Sequence, residues 1–485
     1  MDWMSPMDAS FLHIEGPNNP MHIGGVSIFE GPAPAFERLE EMVAGKLELV
    51  PRYRQKVRFV PLGLGRPVWV EDPHFNLSYH LRHSALPRPG TEEVLRKTAA
   101  RIFAQHLDRR KPLWEIWMVE GLSENRWALL SKVHHCMVDG VSATDLMTVM
   151  FDDAPAGEPG GTWAPGPEPS GAELVLRTLG RQVSSPSEQL RVVRAAARRP
   201  RASLAKAGDL VRGMRSAAGL LRPLGSSSLT GPVGPHRTWS TGYVHLSEVK
   251  AIRVALGGTV NDVVLAIVSG GLRDLLSARG EEIEGRAVRA LVPVSVRGSG
   301  ERGVYNNRVS AMFAELPVGI EDPLARLRTV RAQMDGLKHS KQAVAGDVLT
   351  SLSGFAPPLL LALGGRLAAR SPSLGVQTGV TNVPGPQQPL QTLGRRLLES
   401  FPFVPVIGQV RISIAIFSYD GGLYFGVTGD YDSSSDVGIL TDGVERSARE
   451  LLELSAPVDE PAGLPQPAQT TPEAQPEAEG SQPLP

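Results

Sequence analysis

Residues 131–147, SKVHHCMVDGVSATDLM, hold two adjacent histidines followed, after three intervening residues, by Asp-Gly. The largely apolar, β-compatible stretch 127–135 predicts a short strand that ends at these histidines. Because successive side chains of a strand point to opposite faces, His134 and His135 are not expected to face one cavity. This alternation disfavours a two-histidine metal site and favours one working imidazole with one supporting residue.

The residues after the histidines predict a tight turn and then a helix. Gly140 supplies the backbone freedom that such a turn needs. Ser142 and Asp145 have the S-x-x-D spacing of a capping box, and Asp139 is near enough to orient the turn or pair with a cation. A lone histidine on a strand is usually structural. The His-His-x-x-x-Asp-Gly pattern arises by chance on the order of once in a thousand sequences of this composition, which favours a functional site.

Composition narrows the classes of protein that this chain can represent. Its 485 residues carry 50 Lys and Arg against 51 Asp and Glu, a formal charge of -1. A balanced chain lacks the basic footprint of a general nucleic-acid binder, and 41% hydrophobic residues are enough for a sizeable core. The single cysteine, Cys136, excludes an intrachain disulfide and a thiolate metal site, and it favours a reducing compartment.

Two features of the sequence bear on whether the chain carries a signal peptide or crosses a membrane. The first 15 residues lack the basic and apolar regions of a signal peptide, so we expect none. The longest uncharged run, 348–365, is barely long enough to cross a bilayer and contains the adjacent Pro357 and Pro358. We therefore expect this run to be buried or to lie at an interface, and not to span a membrane.

Changes in composition predict four segments. An N-terminal lobe, 1–151, precedes a linker, 152–236, which is rich in Gly, Pro and Ser at both ends and basic in its middle. A C-terminal lobe, 237–455, follows, and the proline-rich tail 456–485, which has no Lys or Arg, is expected to be disordered.

Both lobes mix helix and strand patterns without regular βαβ alternation, which favours the α+β class. Apolar residues recur at helical spacing in 35–49 and 92–106. The segments HIGGVSIFE (22–30) and RWALLSKVHH (126–135) have the composition of strands.

Further segments of the chain match one family together with the histidine motif. HHCMVDG (134–140) fits the HHxxxDG motif of coenzyme-A-dependent acyltransferases and peptide-synthetase condensation domains. MSPMDASFLHIE (4–15), PLWEIWMVEGL (112–122), TVNDVVLA (259–266) and TNVPGP (381–386) stand in the expected order around it. Taken together, the chain resembles the bacterial wax ester synthase/diacylglycerol acyltransferase family from about residue 4 to residue 454.

This resemblance implies a fold, a reaction and roles for the motif residues. The fold would be a two-lobe, chloramphenicol-acetyltransferase-like α+β architecture with the active-site channel between the lobes. The reaction would move an acyl group from acyl-coenzyme A, a co-substrate, to diacylglycerol or a long-chain alcohol, with no resident cofactor and no metal. His135 matches the catalytic base, His134 the supporting histidine, and Asp139 and Gly140 the turn.

Two other family segments are candidates for the substrate channel. Asn261 and Asp262 would lie near the active site, although Asp262 also has capping-box spacing with Thr259 and caps a helix in the simpler interpretation. Asn382, in the segment TNVPGP, is expected either to be structural or to line the channel between the lobes.

The remaining motif residues favour packing over chemistry. Pro112, Leu113 and Trp114 are expected to pack beside the site. Cys136 occupies a variable position of the motif, and a thiol nucleophile there is less favoured than oxygen attack assisted by His135. We expect Cys136 to be a small buried filler.

The basic middle of the linker has two interpretations. Between residues 177 and 222 eleven Lys or Arg stand against two acidic residues. The segment is either a solvated linker helix or an attachment to an anionic lipid surface, where each basic residue contributes ~1 kcal/mol. The expected location is cytoplasmic, peripheral on the inner membrane face or on lipid droplets, and the oligomeric state stays open.

Two rival functions remain at this point. A stand-alone condensation domain would form amide or ester bonds from carrier-bound substrates, but the chain has no carrier-domain serine motif. A non-catalytic protein of a lipid surface would need no base, yet the HHxxxDG motif is intact.

Overall fold

Mixed β-sheets with helices packed against them form the part of the chain that the computed structural model describes, residues 2–137, 151, 163–184, 227–295, 309–339 and 375–456. The strands are β1 (Asp2–Trp3), β2 (His22–Phe29), β3 (Gln55–Arg58), β4 (Val68–Glu71), β5 (Leu81–Ala85), β6 (Trp114–Leu122), β7 (Arg126–His134), β8 (Arg237–His245), β9 (Val288–Ser295), β10 (Val309–Leu316), β11 (Thr378–Pro384), β12 (Gln391–Thr392), β13 (Arg395–Phe403), β14 (Ile412–Tyr419) and β15 (Gly422–Asp430). The helices are α1 (Pro6–Ile14), α2 (Phe36–Lys46), α3 (Leu77–His80), α4 (Glu92–Ala104), α5 (Gly171–Ser184), α6 (Leu246–Leu256), α7 (Val260–Ala278), α8 (Pro323–His339) and α9 (Val437–Ser455), with 3₁₀ turns at Pro51–Arg54, Pro61–Gly63 and His135–Met137.

The first large sheet carries the histidine pair at the end of a central strand. Its order is β12-β13-β2-β7-β6-β5, antiparallel except for the parallel pair β5–β6. The predicted strands 22–30 and 126–135 form β2 and β7, and the predicted helices 35–49 and 92–106 form α2 and α4. Both helices end two or three residues before the predicted limits, a normal difference for a terminal turn.

The second large sheet has the order β10-β9-β11-β14-β15-β8, in which β11 runs parallel to both of its neighbours. Helix α7 packs against it and is buried along most of its length, as its apolar stripe predicts. The predicted capping box is present at its start: the Asp262 N–H donates to Thr259 Oγ1 (3.2 Å), and the Thr259 N–H donates to Asp262 Oδ2 (2.8 Å).

Strand β13 joins the two halves of the chain. Although it belongs to the predicted C-terminal lobe, it pairs antiparallel with β2 in the first sheet, with Phe401 opposite Val26. Strand β15 of the second sheet lies directly against it, because a Cβ added to Gly426 would come within 1.8 Å of the Pro402 carbonyl oxygen. Only glycine fits at that close approach.

Tyrosine hydroxyls hold β13 in this position. Tyr419, fully buried at the end of β14, donates to the Leu397 carbonyl oxygen (3.1 Å) and accepts from the Leu390 N–H (2.8 Å). Tyr424 on β15 donates to the Leu398 carbonyl oxygen (3.2 Å). These bonds satisfy backbone groups of β13 and of the segment before it from the second sheet.

The mixture of parallel and antiparallel pairs, with helices in no regular alternation, matches the predicted α+β class. Most of the basic linker, the uncharged run 348–365 and the tail from 457 lie outside the described residues. Within the described residues, no single helix is long and apolar enough to cross a bilayer; α6 and α7 pass that test only as a pair bent by 104°.

Replacing Tyr419 with Phe removes one hydroxyl and leaves the part-buried N–H of Leu390 and the buried carbonyl of Leu397 without this partner. We expect Tyr419→Phe to lower the free energy of unfolding by about 1–3 kcal/mol, the usual cost of an unsatisfied buried polar group. Urea unfolding followed by circular dichroism measures the change. Tyr431→Phe, at a side chain that is 57% exposed, is the matched control and should change stability by less than about 0.5 kcal/mol. Equal stabilities of the two variants would contradict the assigned bonds.

Candidate active site

His134, the last residue of β7, is enclosed by hydrogen-bonding groups. Its side chain is 1% exposed, and its backbone N–H donates to the Leu113 carbonyl oxygen (2.9 Å). The imidazole Nδ1 accepts from the Cys136 N–H (3.1 Å), which places the proton of the neutral ring on Nε2. That Nε2 lies 3.5 Å from Glu15 Oε2, farther than a normal hydrogen bond. The contacts fix the orientation of His134.

His135 has different surroundings because the chain leaves the strand there and enters the 3₁₀ turn. Its backbone N–H donates to the Met21 carbonyl oxygen (2.8 Å). Its half-buried ring stacks on Phe11 of α1, with the ring centres 3.9 Å apart and the planes at 18°. Nδ1 has no hydrogen-bond partner among the described residues. The two imidazoles are therefore held by separate sets of contacts.

Burial keeps both imidazoles neutral. It lowers the pKa of His135 to about 4, with the nearby His134 acting in the same direction and the backbone carbonyl of His135 opposing it. Burial also lowers the pKa of His134, although Glu15 pulls that pKa upward. A neutral imidazole has a free lone pair and can accept a proton at neutral pH.

Cys136 behaves as the buried filler that the sequence predicts. Its side chain is buried, and burial, followed by the charges of Asp8 and Glu15, raises the pKa of the thiol well above its usual range. Because the thiolate is the reactive form, this thiol is a poor nucleophile at neutral pH.

Glu15, which follows α1, joins several parts of the site. Its side chain is 4% exposed; Oε1 accepts from the Met21 N–H (3.1 Å), and Oε2 accepts from Arg109 Nε (2.8 Å). His106 Nδ1 lies 3.3 Å from Oε1. Burial alone would raise the pKa of Glu15, but the nearby His106 and His134 and the charge of Arg109 hold it well below its usual range. The carboxylate is therefore ionised.

No role for Glu15 or Phe11 was predicted from the sequence, although both lie in the segment MSPMDASFLHIE. Within that segment Ser5 and Asp8 have capping-box spacing, and Ser5 Oγ accepts from the Asp8 N–H (3.1 Å) at the start of α1. That spacing locates the helix. It does not identify the partner of Glu15, whose carboxylate accepts a hydrogen bond from Arg109, 94 positions along the chain.

The PLW segment, Pro112–Trp114, packs against the end of β7. Leu113 and Trp114 are buried, and the Trp114 N–H donates to the Pro112 carbonyl oxygen (3.0 Å). Trp114 Nε1 donates to the Tyr53 carbonyl oxygen (2.8 Å), and the indole stacks on His80 with centres 4.5 Å apart. The segment touches the histidine motif through the carbonyl of Leu113, which holds the backbone of His134.

The ND and NVPGP segments are in contact with each other. Asn382 on β11 donates from Nδ2 to Asn261 Oδ1 (3.3 Å) at the first turn of α7. Asp262 caps α7, which is the simpler of its two interpretations. Neither these residues nor the PLW segment lines the apolar cavity beside Ser131 or the larger cavity beside α4. Asp139 and Gly140, and the Ser142–Asp145 spacing, lie outside the described residues.

A narrow apolar cavity of about 140 Å³ lies on the face of the first sheet that carries Ser131, four residues before His135. Its floor consists of small residues, Gly25, Ser27 and Ser131. Its walls include Phe401 and Pro402 of β13, with Tyr419 and other apolar side chains. Among the described residues no group of three His, Cys, Asp or Glu side chains could hold a metal ion.

Two family models match the chain. Residues 4–264 match the wax ester synthase/diacylglycerol acyltransferase catalytic domain, and residues 305–452 match the WS/DGAT C-terminal domain. A Mycobacterium tuberculosis relative, named a probable diacylglycerol O-acyltransferase, is 38% identical over 470 residues, which cover 94% of this chain and 96% of the relative.

Solved structures with similar folds are also found among related enzymes. A wax ester synthase/diacylglycerol acyltransferase from Marinobacter aquaeolei has a TM-score of 0.67 at 25% identity and covers 94% of this chain and 100% of that one. The first condensation domain of the calcium-dependent antibiotic synthetase, at 19% identity, has a TM-score of 0.56 and covers 94% and 97%. These likenesses confirm the predicted two-lobe α+β fold. By both family models and by identity over almost its whole length, this chain is a member of the wax ester synthase/diacylglycerol acyltransferase family.

Proposed function

We propose that this protein moves a long acyl chain from acyl-coenzyme A to the hydroxyl of diacylglycerol or a long-chain alcohol, forming triacylglycerol or wax ester. Family membership supplies the reaction class. The observation that carries the mechanism is the half-buried His135, neutral at cellular pH and fixed by Met21 and Phe11.

A lipid hydroxyl is a poor nucleophile because it keeps its proton at neutral pH. In the proposed step the oxygen attacks the thioester carbonyl while His135 takes the hydroxyl proton. The tetrahedral intermediate then collapses, the carbon–sulfur bond breaks, and the imidazolium returns the proton to the departing coenzyme A sulfur. General-base assistance of this kind typically accelerates a reaction ~10²–10⁴-fold.

Glu15 is a positioning residue in this proposal. Its Oε1 accepts from the Met21 N–H, and the Met21 carbonyl accepts from the His135 N–H. The carboxylate therefore reaches the backbone of the base through one residue, while its other oxygen faces His134 Nε2. Small displacements of a catalytic group strongly reduce the reaction rate, so a buried anchor of this kind helps to maintain that rate.

The narrow apolar cavity is the proposed seat of part of the acyl chain. A floor of Gly25, Ser27 and Ser131 leaves space above the sheet, and the walls are mainly apolar side chains. Each methylene transferred from water into such a cavity contributes ~0.8 kcal/mol. This favours long-chain thioesters over acetyl-coenzyme A.

The proposal includes peripheral contact with an anionic membrane or lipid-droplet surface through the basic linker, since both acceptors are water-insoluble. Eleven cations between residues 177 and 222 support it. We expect the protein to sediment with phosphatidylglycerol vesicles in low salt, more weakly in 0.5 M salt, and little with phosphatidylcholine. Replacing Arg198, Arg199 and Arg201 with Gln should weaken sedimentation. Equal binding to both lipids would rule out the electrostatic contact.

The first test is acyl transfer from labelled palmitoyl-coenzyme A, with diacylglycerol and hexadecanol offered separately. The labelled triacylglycerol or wax ester identifies the acceptor. We expect His135→Ala to lower kcat by about 10²–10⁴ because the general base is lost. His74→Ala, at an exposed histidine, is the matched control and should keep full activity. Near-normal turnover by a folded His135→Ala protein would eliminate His135 as the base, and no ester from folded wild type would overturn the proposed function.

The pH profile of the same reaction tests the protonation state of the base. A base with a pKa lowered to about 4 is neutral above that pH and is lost as the pH falls through it. The acid limb of kcat/KM should therefore lie well below pH 6.5, the value for an ordinary histidine. Circular dichroism at each pH separates this limb from unfolding, and a limb centred near 6.5 in folded protein would contradict the assignment.

Glu15→Gln removes one negative charge and almost no volume. We expect kcat to fall about tenfold with KM for palmitoyl-coenzyme A nearly unchanged, because the base is misplaced while the substrate contacts remain. Glu41→Gln, an exposed position on α2, is the control and should alter neither constant. A rise in KM at constant kcat would instead assign Glu15 to substrate binding.

A further inference from the structure

A second and larger cavity, of about 990 Å³, lies between helix α4 and the start of strand β8. One wall is the face of α4 from Glu93 to Gln105, and the other is the segment 235–239 together with Tyr431 and Ser435. Its volume is at the upper end of the range for cofactor-sized ligands. The proposed proton transfer makes no use of it.

The α4 wall is basic. Lys97 and Arg101 are one turn apart, and Arg96 lies on the same side of the helix. Lys97 pairs with Glu93 (2.6 Å), and Arg96 lies 3.8 Å from Glu92. Arg101 is exposed and has no ion pair with any residue that the structure describes. Its guanidinium is available to an anionic ligand.

The opposite wall adds a buried cation. Arg237 is 4% exposed, and its guanidinium donates to the carbonyl oxygens of Gly234 (2.7 Å), His236 (2.7 Å) and Asn18. Burial lowers the pKa of Arg237 to about 10, so it stays charged at neutral pH. The nearby Asp430 carboxylate accepts from the Gly234 N–H (2.7 Å). Four cations thus face one lining carboxylate, that of Glu93.

The rim beside Arg237 carries an exposed aromatic ring. Tyr431 is 57% exposed, and its ring centre lies 6.3 Å from that of His236 in an edge-to-face arrangement. An exposed aromatic face of this kind can stack on a nucleobase. The cavity therefore combines phosphate-binding and base-binding chemistry.

We propose that this cavity binds the nucleotide of acyl-coenzyme A, an adenosine 3′,5′-bisphosphate group, with the phosphates at Arg96, Lys97 and Arg101 and the adenine at Tyr431. The inference rests on the proposed function, which requires a coenzyme A thioester. Arginine suits this role because its planar guanidinium pairs with two phosphate oxygens at once.

A layer of aromatic side chains lies between the cavity and the strands that carry the histidines. Phe103 of α4 packs on Trp239 of the cavity (ring centres 6.2 Å) and on Phe403 (4.0 Å). The His22 ring lies 6.4 Å from Phe103, and His22 is the register partner of His134 on the neighbouring strand. The proposal requires the pantetheine arm to extend from the cavity along this aromatic layer to His135.

The direct test is calorimetric titration of the full-length protein with adenosine 3′,5′-bisphosphate, which needs no turnover. We expect Arg101→Ala to weaken binding about tenfold and wild-type affinity to fall as salt is raised. Arg253→Ala, an equally exposed arginine on α6, is the matched control and should bind like wild type. No binding by wild type, or equal binding by both variants, would overturn the proposed site even if acyl transfer is confirmed.

A second readout separates the nucleotide from other phosphate groups. The preference for palmitoyl-coenzyme A over S-palmitoyl-pantetheine, expressed as a ratio of kcat/KM, should fall about tenfold in Arg101→Ala and stay constant in Arg253→Ala. If Arg101→Ala instead reduced sedimentation with phosphatidylglycerol vesicles and left that ratio unchanged, the cavity would bind a lipid headgroup and the nucleotide site would be wrong.

Discussion

The pairing of β13 with β2 is the constraint on which the rest of the structure depends. It inserts residues from the second half of the chain into the sheet that ends at the histidines. Phe401 and Pro402 then wall the narrow apolar cavity, while Phe403 packs on Phe103 beside the larger one. The narrow cavity would lose its lining if this strand pair separated.

A second constraint acts at the histidines, where burial and charge oppose each other. Burial favours the neutral forms of both imidazoles and would favour a protonated Glu15. Arg109 and His106 reverse the effect for the carboxylate alone, because they supply donors at 2.8 and 3.3 Å. The site therefore keeps one buried anion with neutral histidines beside it, a combination that suits proton abstraction.

The features predicted correctly from the sequence are those that depend on local patterns of residues. Alternation located β2 and β7, helical spacing located α2 and α4, and the Thr259–Asp262 spacing located the start of α7. These features depend on neighbours within a few positions of the chain, so one sequence is enough to find them.

Long-range partners were beyond such patterns. Asn261 and Asn382 are 121 positions apart, and Glu15 and Arg109 are 94 apart. Alternation marks a strand but does not identify its neighbour, so the pairing of β13, which lies within the segment 237–455, with the first sheet could not be predicted from the sequence. The roles of Asp139 and Gly140 remain predictions from the motif.

The pairing of β13 with β2 also limits which segments can be recombined between members of this family. The two family models, 4–264 and 305–452, describe halves that look separable along the chain. Each half nevertheless supplies one side of the β2–β13 ladder, and the Gly426–Pro402 contact leaves no room for a larger residue. Recombination between relatives therefore requires that the two halves remain complementary at the β2–β13 pair and at the Gly426–Pro402 contact. A C-terminal half taken from another member would bring its own residues at the positions of Phe401 and Pro402, and with them a differently shaped narrow cavity.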